Sequence, residues 1–117
     1  MKAKKILNQE SDVKEDVKVD RNHHVPFSVA MSVYKSDNPD FFDRALSSIT
    51  DEQTIKPNEI VLVVDGPVSN EINNVINKYE KKYEVFNVIR LEQNGGLGNA
   101  LKIAVENATH ELIARMD

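Results

Sequence analysis

A doubly wound α/β fold on a mostly parallel sheet is what this sequence predicts, and three observations predict it. Strand-like and helix-like segments alternate from Phe27 onward. One strand-like run, Ile60-Val61-Leu62-Val63-Val64, is unbroken aliphatic and β-branched, the composition of a strand covered on both faces. The stretches between strands, about ten to fifteen residues each, suit crossover helices and are too long for hairpins. Right-handed crossovers then place helices on both faces of the sheet.

The elements follow in order. Phe27, Val29, Met31 and Val33 alternate with Ser28, Ala30 and Ser32, the period-two signature of a first strand. Asn38 stands where a helix N-cap belongs, followed by Pro39, which has no amide to satisfy; Phe42, Ala45, Leu46 and Ile49 then recur at helical spacing. Pro57-Asn58 breaks the chain before the central strand. After Asp65-Gly66-Pro67, Ser69 caps a second helix with Ile72, Val75, Ile76 and Tyr79 on one side. Val85 to Leu91 reads as a third strand and Gly95-Gly96 as a turn. Leu97, Leu101, Ala104, Val105 and Ala108 mark a third helix, and Glu111 to Met116 a fourth strand.

Composition narrows the class. The 117 residues suffice for one domain, and 40% hydrophobic with 29% charged residues is the balance of a globular chain. Residues 1–26 differ: charges crowd Glu10 to Arg21 without a clear period, so they read as a polar, partly disordered extension, with the folded portion spanning 27–117. His23 and His24 are adjacent, and adjacent side chains point apart in an extended chain, which disfavours a metal pair. No apolar run approaches the ~20 residues that span a bilayer, and the start lacks a signal peptide's apolar core, so a cytoplasmic setting is expected. The absence of cysteine excludes disulfides, and a net charge of −4 gives no electrostatic reason to bind nucleic acid.

Ligands of doubly wound sheets bind beyond the carboxyl ends of the strands. Parallel topology brings four strand ends to that rim: Ser32-Val33-Tyr34, Asp65-Gly66, Asn94-Gly95-Gly96-Leu97-Gly98 and Arg115-Met116-Asp117. Dinucleotide binding would need glycines after the first strand, where there are none. The later glycine cluster lacks the Lys-Ser/Thr ending of a P-loop and reads either as a turn into a helix or as a phosphate contact. A receiver domain would need an acidic pair after the first strand, and Tyr34-Lys35-Ser36 supplies none. No Gly-x-Ser-x-Gly elbow is present, and His110 sits where a surface or packing role fits better than catalysis.

What the motifs do resemble, in order and spacing, is the first half of a family 2 glycosyltransferase of the GT-A fold, whose Rossmann-like half binds the nucleotide-sugar. The matching segments are Val29-Ala30-Met31-Ser32-Val33-Tyr34, Glu59 through Gly66, Asn94 through Ala100 and Ala114-Arg115-Met116-Asp117. The resemblance implies a nucleotide-sugar site comprising Ser32, Tyr34, Asp65, Asn94, Gly96, Arg115 and Asp117. Tyr34 would offer a flat face to the base, and Asp65 would accept a hydrogen bond from the imide nitrogen of uracil, favouring a UDP-sugar. The plainer readings are packing for Tyr34 and a turn carboxylate for Asp65. Strand alternation turns Arg115 and Asp117 to one face, where they form either a salt bridge or a ligand contact.

In the family the aspartate matching Asp117 opens an Asp-x-Asp motif, so Asp117 is a candidate ligand of an incomplete Mn²⁺ or Mg²⁺ site. That metal would stabilise the departing diphosphate. Two departures stand out. The turn after the central strand has one acid, Asp65, before Gly66-Pro67, where many relatives have two acids and a serine; and the sequence stops before a second metal-binding aspartate, the acceptor half and the catalytic carboxylate. The expectation is a glycosyltransferase portion that binds donor but does not turn over alone. The parent enzyme would transfer a hexosyl unit to a polysaccharide or lipid-linked acceptor, in the cytoplasm or peripheral to a membrane. Self-association through an exposed sheet edge is also expected. A non-catalytic α/β binding or assembly module stands as the alternative.

Overall fold

The computed structural model describes residues 5–7, by backbone alone, and 25–116. Five strands form one sheet: β1 Lys5–Leu7, β2 Phe27–Val33, β3 Glu59–Val64, β4 Phe86–Arg90 and β5 Leu112–Met116, in the order β1-β5-β2-β3-β4. Every pairing is parallel. Three helices make the crossovers, α1 Pro39–Ile49, α2 Asn70–Lys82 and α3 Leu97–Asn107. The α/β class, the parallel sheet and each of these strand-helix alternations agree with the sequence, the last two strands each losing a residue or two at their ends.

Residues 1–26 are the exception. Within that expected polar extension, Lys5–Leu7 form an edge strand in register with Leu112, Ile113 and Ala114 of β5. Three residues with ladder partners but no alternating pattern are too few to announce a strand by periodicity. The rest of the expected extension up to His24, including the two adjacent histidines, lies outside the described residues.

Side-chain parity divides the core in two. Phe27, Val29, Met31 and Val33 of β2, with Ile60, Leu62 and Val64 of β3, face Phe42, Leu46 and Ile49 of α1 and Ile72, Ile76 and Tyr79 of α2. The opposite face carries Ala30, Val61, Val63 and Ile113, and among the described residues α3 covers it, through Ala100 and Ala104 with Ala108 just past the helix end. The large side chains thus fill one layer, while a stripe of alanines at four-residue spacing lets α3 lie close against the other. Chain order explains the arrangement. From β2 through β4 the sheet grows in one direction with α1 and α2 on one face; α3 then crosses the other face to deliver β5 to the far side of β2. That reversal is what doubly wound means, and it opens a crevice at the carboxyl ends.

Local chemistry sets the helix starts as expected. Asn38 Oδ1 accepts from the amides of Asp40 at 2.8 Å and Phe41 at 3.2 Å, and Ser69 Oγ accepts from the amide of Ile72 at 3.2 Å. A polar ladder ties α1 to α2: Lys78 Nζ and the Tyr79 hydroxyl both donate to Asp43, the latter at 2.6 Å, while Lys82 and Tyr83 donate to Asp51. The hydrogen bond from Lys78, followed by that from Tyr79, holds the Asp43 carboxyl below its ordinary value of 3.8. Burial, followed by the bond to Asp43, pushes the Tyr79 phenol well above its usual range.

At the amino ends of the strands, buried Ser28 donates to Glu59 Oε1 at 2.8 Å and lies 2.9 Å from His110 Nδ1. Since the single hydroxyl proton goes to Glu59, His110 Nδ1 is the donor to Ser28 Oγ. The Thr109 amide donates to the same Glu59 oxygen at 2.9 Å, so this cluster pins the α3–β5 turn to the sheet. His110 therefore packs at the end of the molecule opposite the crevice.

Candidate functional site

At the carboxyl rim, a cleft of about 440 Å³ is lined by Ser32, Tyr34, Asp37, Asp65, Asn94, Gly96 and Leu97. Five of the seven expected site residues are thus brought together: Ser32, Tyr34, Asp65, Asn94 and Gly96. Parity accounts for this convergence. Ser32 continues the face of Ser28 and Ala30, and Asp65 continues that of Val61 and Val63; this is the α3 face, and the glycine turn feeds α3.

Asp65 is the best-anchored group in the cleft. It is 4% exposed, and its carboxylate accepts from the amide of Gly95 at 2.8 Å through Oδ1 and from that of Gly96 at 3.0 Å through Oδ2. Its backbone carbonyl receives the Asn94 side-chain amide at 3.3 Å. A buried carboxylate without such donors would be costly, and two backbone amides are what make this position tenable. Each oxygen keeps a further lone pair for a donor in the cleft. Next to it, Gly66 has φ +88°, and a Cβ there would stand 2.7 Å from the Asn94 backbone nitrogen. The turns after β3 and β4 touch backbone to backbone.

Tyr34 is 41% exposed, so its ring belongs to the cleft wall and not to the core. Its backbone amide donates to Asp37 Oδ2 at 2.9 Å, and the Asp37 amide donates back to the Tyr34 carbonyl at 3.1 Å, which closes a tight turn after β2. Asp37 and Leu97 are lining residues that sequence reasoning missed. Leu97 was expected on the buried side of its helix; at 56% exposure it projects at the rim, because Ala100 takes the first contact with the sheet. A helix's first residue precedes its first buried turn, and this was the available signal. The cleft holds two acids and, among its lining residues, neither lysine nor arginine, an electrostatic setting that suits donor-rich groups such as an imide or ribose hydroxyls.

Arg115 is half-buried in β5, in register with Ala30, and is not among the cleft-lining residues. Asp117 lies outside the described residues. Among the described residues no three acids or histidines gather into a metal-holding group. No helix of the described residues is long and apolar enough to cross a membrane.

The family model for glycosyl transferase family 2 matches residues 28–117, well over half of the chain. The chain belongs to glycosyl transferase family 2. Relatives support the assignment across the same region. The amylovoran biosynthesis glycosyltransferase AmsE of Erwinia amylovora is 40% identical over 91 residues, 78% of this chain and 34% of that protein. The UDP-Gal:alpha-D-GlcNAc-diphosphoundecaprenol beta-1,3-galactosyltransferase of Escherichia coli is 38% identical over 91 residues, covering 78% and 32% respectively. An uncharacterized glycosyltransferase of Haemophilus influenzae is 37% identical over the same length, covering 78% and 33%. The chain spans about a third of the length of these relatives.

Proposed function

We propose that this chain is the donor-binding portion of a glycosyltransferase that takes a hexosyl unit from a UDP-sugar to a polysaccharide or lipid-linked acceptor. The observation that carries the reading is the convergence of Tyr34, Ser32, Asp65, Asn94 and Gly96 on one cleft at the carboxyl rim. In this reading the Tyr34 ring forms one wall for the base, and the free lone pairs of Asp65 accept from the imide nitrogen of uracil. The two carboxylates and the absence of cations among the lining residues support giving the cleft to the nucleoside. The diphosphate then extends toward β5, where Arg115 and Asp117 belong to the site.

A divalent cation, Mn²⁺ or Mg²⁺, is part of the same proposal; when bound it would neutralise the diphosphate as the leaving group. Asp117 would be one ligand, together with groups beyond the described residues. Names of the relatives support the acceptor class: one acts in amylovoran biosynthesis and one on a diphosphoundecaprenol-linked sugar. A membrane-peripheral setting follows from that acceptor class.

Titration of the isotopically labelled chain with UDP and Mg²⁺, followed by amide NMR, tests the reading. Saturable shifts at Tyr34, Asp65, Gly96 and Asp117 are expected. Saturating UDP without local response at the cleft would instead leave a non-catalytic α/β binding module.

A further inference from the structure

We propose that Asp65 is the positioning residue of the glycine turn: its carboxylate fixes the Gly95 and Gly96 amides and so sets the cleft rim against which the nucleotide rests. Four observations carry this. Both carboxylate oxygens are engaged, one per amide, at 2.8 and 3.0 Å. Asp65 is buried at the end of a central strand, so the anchor itself is rigid. Gly96 adopts φ 95° and ψ 159°, a conformation reserved almost wholly for glycine, and it caps α3 with no side-chain hydrogen bond of its own. Gly66 lets the neighbouring turn approach Asn94 to a distance that admits no Cβ.

Together these make one rim of two turns. An anion at the start of a helix is stabilised by the backbone amides and the helix dipole, and here the protein supplies that anion itself. The Gly95 and Gly96 amides are accordingly directed at Asp65 and away from a ligand phosphate. The glycine cluster resembles a phosphate cradle in sequence, yet it serves to hold a wall of the nucleoside subsite. Asp65 then influences nucleotide affinity through the turn as well as through any direct contact. The affinity part of this inference rests on the donor-binding reading; the clamp does not.

The test uses the labelled chain in three forms, wild type, Asp65→Asn and Gly96→Ala. In the ligand-free wild type, scalar couplings across the hydrogen bonds are expected between the Asp65 carboxyl carbon and the Gly95 and Gly96 nitrogens. In Asp65→Asn one carboxylate oxygen becomes an NH₂ group, and the glycine amide that faces it loses its acceptor, shifts upfield and exchanges about tenfold faster. Gly96→Ala keeps every atom of Asp65 and places its Cβ in open space. It nonetheless loses the Gly96 coupling and binds UDP about tenfold more weakly, a loss of about 1.4 kcal/mol. Absence of the couplings in the wild type, or UDP affinity in Gly96→Ala equal to wild type, overturns the proposal. If the wild type binds no UDP, the donor-binding reading fails while the couplings still decide the clamp, and they do so even if Asp65→Asn does not fold.

Discussion

Replacing Gly66 by alanine puts the contact between the two rim turns to a direct test. The backbone there has φ +88°, which costs an L-residue about 1–2 kcal/mol. The added methyl would stand 2.7 Å from the Asn94 nitrogen, 3.1 Å from its Cα and 3.2 Å from the Gln93 carbonyl carbon, all inside the 3.4 Å at which ordinary contact begins. These are backbone atoms, so no side chain can swing away, and overpacking of this kind costs about 1–3 kcal/mol more. The expected destabilisation is therefore about 2–5 kcal/mol. Gly96→Ala separates the two contributions, because its φ is +95° and nothing lies within 4 Å of the position a Cβ would take. Strain alone should cost it about 1–3 kcal/mol. Urea denaturation followed by far-UV circular dichroism, at the ~1 kcal/mol/M slope of a small domain, would show a midpoint lowered by about 2 M or more for Gly66→Ala. A Gly66→Ala chain no less stable than Gly96→Ala would refute the close approach of the two turns.

Three further outcomes follow from the packing. Tyr79→Phe removes a buried hydroxyl that donates to Asp43 at 2.6 Å and should cost about 1–2 kcal/mol in the same denaturation experiment; an unchanged midpoint would argue against the α1–α2 ladder. Ser28→Ala leaves Glu59 short of a donor and His110 Nδ1 without its acceptor, at a cost of about 1–3 kcal/mol measured by thermal unfolding. The pH dependence has a definite sign. Because Lys78 and Tyr79 hold the Asp43 carboxyl below 3.8 in the folded chain, the stability they contribute is fully present above that value. It fades as the pH falls through the lower folded value. Asp43→Asn should therefore lose stability less steeply than wild type below about pH 4, and parallel stability-against-pH curves would contradict the coupling.

Much of the fold was legible because local and tertiary demands agree. The alternation in Phe27–Val33 is the division between the two cores, and Asn38 and Ser69 cap the helices their sequence context announces. The unbroken run from Ile60 is buried on both faces as its composition requires. Lys5–Leu7 was not legible, since its order comes from partners in β5 that lie more than a hundred residues away. Leu97 misled because an aliphatic residue at helical spacing ordinarily faces the core, and at the first position of α3 it does not.

The site was legible as a place more than as a mechanism of assembly. Strand ends gave Ser32, Tyr34, Asp65, Asn94 and Gly96, and the side-chain parity of β2 and β3 could have added that Ser32 and Asp65 look toward α3. Asp37 escaped notice because it enters through a turn closed by its own side chain, a local geometry no spacing rule reports. Likewise, an acid gripping two distant glycine amides leaves no trace in sequence beyond the acid and the glycines themselves.

The alanine stripe of α3 has a bearing on that grip. Ala100, Ala104 and Ala108 fix how high the helix rides above the sheet, and the helix's leading end presents two amides to a carboxylate that cannot follow them. The stand-off is calibrated from behind, by side chains that never meet a ligand. A single methyl group added on that hidden seam would act as a shim under a lever, tilting the rim at its far end.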